Sequence, residues 1–296
     1  MKKRPFLFAS LIIGGIFLFF ILVFFAAGYF RAGTLLSTSP GQIGVLEVTG
    51  TITNERLLVR QIDEFRYNDG VVAVVLRVDS PGGGVGPSQE IYRELKRLVQ
   101  KKPLVVSFGS VAASGGYYLA MAGERLFANP GTITGSIGVV MNFPDFQELM
   151  GKVGVRTEVI KSGPYKDVGS ATRDMTDEER RLLNEMIADV HSQFVEVVSK
   201  GRNIPIKELS PYTDGRIFTG RQALTVGLVD ELGSFNDAVE YAAKRAGLKG
   251  RPELLYPAPE RKMLLQRFFN VINDRYVGVD FGFKAAIGPQ YLWSGP

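Results

Sequence analysis

The stretch GSVAASGGYYLAMAGERL, residues 109–126, places a lone hydroxyl, Ser114, and two glycines at the head of an otherwise apolar helical run. Two chemistries suit that pattern. Ser114 can cap the helix, the default role of a serine in that place. It can also be a nucleophile, with room beside it because Gly115 and Gly116 carry no side chain. A helix start leaves its first N–H groups without intrahelical acceptors, so the Gly115 N–H would favour developing negative charge. A second glycine-rich turn, RVDSPGGGVG (77–86), falls where a strand ends and a helix begins. There the N–H groups of Gly82, Gly83 and Gly84 can turn toward an anion. It is no Walker loop, because no Gly-Lys-Ser/Thr follows, and Gly84-x-Gly86 is only half a dinucleotide fingerprint. If both turns lie at the carboxyl ends of neighbouring parallel strands, they face one crevice. Ser114 would then attack a carbonyl while the N–H groups of Gly83 and Gly115 hold the oxyanion.

A serine nucleophile needs a base. The chain has one histidine, His191, which sits mid-helix among Ile187, Val190, Phe194 and Val195 and reads as structural. A Ser-His-Asp triad is therefore not expected. Ala112 also breaks the G-x-S-x-G elbow, and there is no S-x-x-K. With no cysteine and a single histidine, thiolate zinc sites and H-E-x-x-H motifs are excluded. A lysine remains as base, provided it can be held neutral. The segment EVIKSGPYKDVGSATRDMTDEER (158–180) offers Lys161 near a strand end and Lys166 in an irregular loop, and spacing alone does not choose between them.

These residues must be positioned by an alternating β-α-β-α chain. Strand patterns occur at 43–52, 71–80, 103–110, 125–130, 132–141 and 155–162, with helical spacing at 55–67 and 87–100. The β-branched run VVAVVLRVDS (71–80) is of the kind buried on both faces of a sheet. This order predicts an α/β domain with mostly parallel strands and right-handed crossovers. Thr176 with Glu179 makes a capping box for a long helix reaching Lys200, and a further helix is expected over 234–247.

The net charge of +5 belongs largely to the N-terminus, where Lys2, Lys3, Arg4 and Arg31 are not balanced by any acid, so no nucleic-acid face is expected. Pro5–Phe30 carries no charge and is long enough to span a hydrocarbon core of about 30 Å. It is longer than the apolar region of a cleaved signal, which is about 7–15 residues. The flanking charges predict a cytoplasmic N-terminus and an extracytoplasmic domain. The expected division is an anchor over 1–31, a linker over 32–41, a catalytic domain over 42–250 and a C-terminal extension over 251–296. In that extension only 261–274 reads as helical, and the aromatic tail GPQYLWSGP is expected to pack on a neighbour or near the site.

The motifs DSPGGG, VAASGGYYLAM, TGSIGVV, SGPYKDVGS…MTDEER and DGRIFTGRQALTVGLVDELG occur in that order, and with the anchor they resemble the short form of the bacterial signal peptide peptidase A family. The resemblance covers roughly residues 42–250. It implies a fold related to crotonase and the Clp protease, built on a repeated β-β-α core behind one N-terminal transmembrane helix. It implies Ser114 as nucleophile, Lys166 as general base, Gly83 and Gly115 as oxyanion donors, and Ser170 as a residue that orients the lysine. It also implies no cofactor or metal, hydrophobic peptide substrates such as cleaved signal peptides, attachment to the cytoplasmic membrane, and a homo-oligomeric ring. In such a ring serine and lysine come from adjacent subunits. The alternatives are a non-catalytic scaffold of the same fold and a crotonase-type acyl-CoA enzyme.

Overall fold

The run Val71–Ser80 forms β2, with seven of its ten residues buried and none exposed, as a β-branched strand covered on both faces requires. In the computed structural model, which describes residues 14–23, 41–258 and 289–293, β2 lies between β1 (Gln42–Thr49) and β4 (Leu104–Ala113), parallel to both. Beyond β4 come β6 (Ile133–Gly135) and then β7 (Ile217–Thr219), while β9 (Leu254–Leu255) pairs with the other edge of β1. β5 (Arg125–Ala128) pairs with β4 and with β8 (Glu231–Leu232). Among the described strands of this sheet only β6 and β7 run antiparallel. A second small sheet pairs β3 (Gly82–Gly84) with β10 (Gln290–Leu292).

Helices cover both faces. On one, α1 (Arg56–Tyr67), α2 (Val85–Val99) and α3 (Gly115–Ala120) pack their apolar residues on Leu46, Leu76, Val78, Val106 and Phe108. On the other, Ala238, Val239 and Ala242 of the helix Phe235–Arg245 meet Ile43, Val75 and Val105. The alternation of β2 therefore feeds two separate cores. The long helix Asp177–Arg202 starts at the expected capping box: the Glu179 N–H donates to Thr176 Oγ1 (3.2 Å) and the Thr176 N–H to Glu179 Oε2 (2.9 Å).

Residues 155–162, expected as a strand, form none, and every one of them is exposed. Among the described residues they have no ladder partner, and an extended segment without one leaves its backbone groups to solvent. The strand expected over 132–141 is regular only at β6, with a single bridge at Val140. The chain divides into two compact units, 1–40 and 41–296. Residues 14–23 are helical, and among the described residues no helix is long and apolar enough to cross a membrane. The rest of the span read over Pro5–Phe30, and the helix read over 261–274, lie outside the described residues.

Candidate active site

Ser114 ends β4 and immediately precedes α3. Its backbone stands at φ 52°, ψ −117°, a region costly for any residue with a β-carbon. The strain is held in place by two bonds: the Ser114 N–H donates to the Gly135 carbonyl (2.8 Å), and the Ser114 carbonyl accepts from the Tyr118 N–H (2.8 Å). The hydroxyl caps nothing. Ser114 is 1% exposed and its Oγ has no hydrogen-bond partner among the described residues. Burying a hydroxyl unpaired costs free energy, so a strained backbone and an orphan hydroxyl at one residue speak against the capping role.

Close backbone approach explains the glycines. A β-carbon at Gly115 would stand 2.8 Å from Ser88 Oγ and 3.2 Å from the Gly83 nitrogen, so the two turns meet at this point. At Gly83 a β-carbon would collide with the Ile52 carbonyl oxygen. The strand carrying Gly83 is set by its neighbours: the Ile52 N–H donates to Gly82 O (2.8 Å) and the Gly84 N–H to Ile52 O (2.8 Å). Ser80 Oγ accepts from the Gly82 N–H (3.1 Å) and donates to Gly50 O (2.6 Å). Asp79 Oδ1 takes the Val111 N–H (3.0 Å), tying the end of β2 to the irregular end of β4. Neither Asp79 nor Ser80 stands out in the sequence except by adjoining the glycines. If the Gly115 N–H serves as an oxyanion donor, Gly115→Ala is expected to lower turnover by about 10²–10³-fold, the usual cost of misplacing one. Single-turnover kinetics on folded protein checks this; an unchanged rate would remove Gly115 from the site.

The lysines lie on a different segment. From residue 138 to 178 no residue is buried. Lys161 is engaged: its Nζ donates to the Pro164 carbonyl (3.1 Å) and pairs with Asp167 Oδ1 (2.6 Å). The Lys166 side chain is exposed, and among the described residues no hydrogen bond or ion pair engages its ammonium. Of the two lysines, Lys166 is the one left unpaired. Because Ser114 Oγ has no partner, Lys166 is not within hydrogen-bonding reach of it in one chain. Ser170 Oγ shares a hydrogen bond with Thr172 Oγ1 (3.1 Å) rather than with Lys166. His191 Nε2 bonds to the Thr213 carbonyl (2.7 Å), a structural contact.

Arg173 pins the lysine loop to the start of the long helix. It bonds Asp167 Oδ1 (2.8 Å) and Oδ2 (2.9 Å), and Glu179 Oε1 (2.5 Å) and Oε2 (2.9 Å). The Arg173 guanidinium holds the Glu179 carboxyl down at about 2, and together with Lys161 it holds Asp167 well below the usual carboxylate range. In the unfolded chain these groups protonate near pH 4. Their contribution is therefore complete above about pH 4 and is lost as pH falls toward 2. The melting temperature is expected to drop on acidification across that window, and to drop less in Arg173→Ala. Parallel acid titrations of the two proteins measure this, and identical slopes would show the network to be without effect.

Ser114, strained and with an unpartnered hydroxyl, thus stands at a strand-to-helix turn of a mostly parallel sheet, where the two glycine turns meet. The sequence comparisons supply the class. The model of Peptidase family S49 matches residues 96–249, and the chain belongs to that family. A protein of Synechocystis named as a protease is 45% identical over 231 residues, covering 76% of this chain and 82% of its own length. A protein of Enterococcus faecium named as a signal peptide peptidase is 36% identical over 255 residues, covering 82% and 74%. A chloroplastic serine protease of Arabidopsis thaliana is 30% identical over 267 residues, covering 90% of this chain and 39% of its own length. The protein is thus a protease.

Proposed function

We propose that the chain is a Ser-Lys peptidase that cuts apolar peptides, remnant signal peptides among them, at the outer side of the cytoplasmic membrane. The observation that carries this reading is the buried Ser114 hydroxyl without a partner, at the point where Gly83 and Gly115 meet. Ser114 Oγ attacks the peptide carbonyl and passes its proton to the neutral Lys166 amine. The N–H groups of Gly83 and Gly115 receive the oxyanion. Lys166 then protonates the leaving amine, and water, deprotonated by the same lysine, hydrolyses the ester. Parallel β1, β2 and β4 with intervening helices suit a repeated β-β-α core of the crotonase and Clp-protease type.

A second copy of the chain supplies the base. The arm that bears Lys166 exposes Phe146, Leu149, Val153 and Ile160, the last of them 97% exposed. Exposed apolar surface of this extent marks a protein contact. Docked on a neighbour in a homo-oligomeric ring, the arm would carry Lys166 to the neighbour's Ser114, with Ser170 orienting the amine. The uncharged run Pro5–Phe30 would tether the ring to the bilayer, into which apolar peptides also partition. The test is hydrolysis by the full chain in detergent micelles. Apolar fluorogenic peptides should be cut and polar ones of equal length spared. A serine-directed acylating probe should label wild type and not Ser114→Ala. Labelling that survives Ser114→Ala would overturn the assignment.

A further inference from the structure

The helix Phe235–Arg245 ends in a turn that leaves a groove beside it. Gly247 stands at φ 74°, where glycine carries no penalty. Its N–H donates to the Lys244 carbonyl (3.1 Å), and the Leu248 N–H donates to the Ala243 carbonyl (2.9 Å). This closing turn folds the chain back and packs Leu248 against the core cluster that holds Ala243. The chain then runs on to β9, which pairs parallel with β1. Helix and returning chain enclose a groove of about 890 Å³. Val239, Ala243, Leu248 and Leu254 give it an apolar floor, and Lys244, Arg251 and Glu240 supply its charges. Lys244 and Arg251 are exposed, and among the described residues neither side chain enters an ion pair or a hydrogen bond. The neighbouring Arg245, by contrast, pairs with Glu124 (3.2 Å).

The groove sits where the chain enters the sheet. A β-carbon on Gly41 would stand 2.8 Å from Leu248 Cδ2, so Gly41 touches the groove wall. The Ile43 N–H donates to the Glu253 carbonyl (2.9 Å), and Ile43 stands opposite Leu254. The uncharged run over 5–30 ends at Arg31, and the residues 32–41 that follow span at most about 35 Å. A surface joined so closely to a bilayer is held at a high effective concentration of lipid. An apolar floor under two unpaired cations suits a lipid with an anionic head. The rival occupant is the segment 259–276, which follows β9. It carries Arg261, Lys262, Arg267 and Arg275 against Glu260 and Asp274, so Lys244 and Arg251 repel it.

We propose that this groove binds an anionic phospholipid of the membrane that holds the chain, its phosphate on Lys244 and Arg251 and an acyl chain on Val239, Leu248 and Leu254. The domain is then docked on the bilayer as well as tethered to it. This goes beyond the peptidase reading and rests only on the tether that accompanies it. The test uses the full chain in micelles of a neutral detergent, with phosphatidylglycerol carrying a photoreactive acyl chain, and maps the labelled peptides. Label is expected within 236–254 and within 5–30. Phosphatidylcholine with the same chains should label the groove about 10-fold less. Phosphatidylglycerol should lose at least about 10-fold on the double variant Lys244→Glu/Arg251→Glu, since each basic residue beside an anionic lipid surface accounts for about fivefold in binding. Both residues are exposed, so the double variant should melt with wild type. Equal groove label from the two lipids, or label unchanged by the charge reversals, would overturn the proposal. So would a groove free of lipid and cross-linked to residues 259–276. Label within 5–30 and none in the groove would overturn the proposal and leave the tether standing; groove label with none in 5–30 would do the reverse. Ser114→Ala should label as wild type does, so failure of the peptidase reading would not move this result.

Discussion

Ser114→Ala is expected to abolish peptide hydrolysis, by about 10⁴-fold or more, without weakening the fold. Removing a nucleophile deletes a bond-forming step, so no other group at the site compensates. The stability expectation comes from the same residue. The native hydroxyl is buried with no partner, and taking it away relieves a penalty of about 1–3 kcal/mol, offset by a little lost packing. Ser114→Gly should be more stable still, because glycine tolerates φ 52°, ψ −117° where a β-carbon costs about 1–3 kcal/mol. Inactive variants that melt at or above wild type would show that strain and an orphan hydroxyl are retained for chemistry. Variants that melt well below wild type, or that stay active, would return Ser114 to a structural role.

Lys166→Ala is expected to lose about 10²–10⁴ in turnover, the usual share of a general base. Lys161→Ala serves as the contrast. Lys161 is tied to Asp167 and Pro164, so its loss should loosen the loop and cost far less rate. The distinctive outcome concerns mixing. Nothing in one chain brings Lys166 to Ser114, whose hydroxyl has no partner. If a neighbour supplies the lysine, rings assembled from Ser114→Ala and Lys166→Ala chains contain some sites with both wild-type residues. Co-refolded or co-expressed mixtures should then recover part of the activity that each variant lacks. Recovery absent from well-mixed assemblies would refute sharing, and a Lys166→Ala enzyme of full activity would remove the base.

Local pattern made much of this molecule legible. The run 71–80 reads as a buried strand and forms one over the same residues, because β-branched side chains on both faces suit a covered parallel strand and little else. Thr176 and Glu179 start a helix where they are expected to, since a capping box is satisfied by residues three apart. The two glycine turns and Ser114 could be singled out by composition alone. Tertiary structure decided what periodicity does not encode. Residues 155–162 carry a strand pattern and pair with no strand among the described residues, because pairing needs a partner edge that local pattern does not supply. Lys161 and Lys166 look alike in sequence, yet an aspartate six residues on claims the first. The tail strand at Gln290–Leu292 is too short to announce itself, and it exists only because Gly82–Gly84 and Val140 offer two edges to bond. Residue types thus determined which chemistry this protein could attempt. Which serine is strained, which lysine stays unpaired and which edge the tail strand joins depend on contacts between residues far apart in the chain, and those are decided by packing.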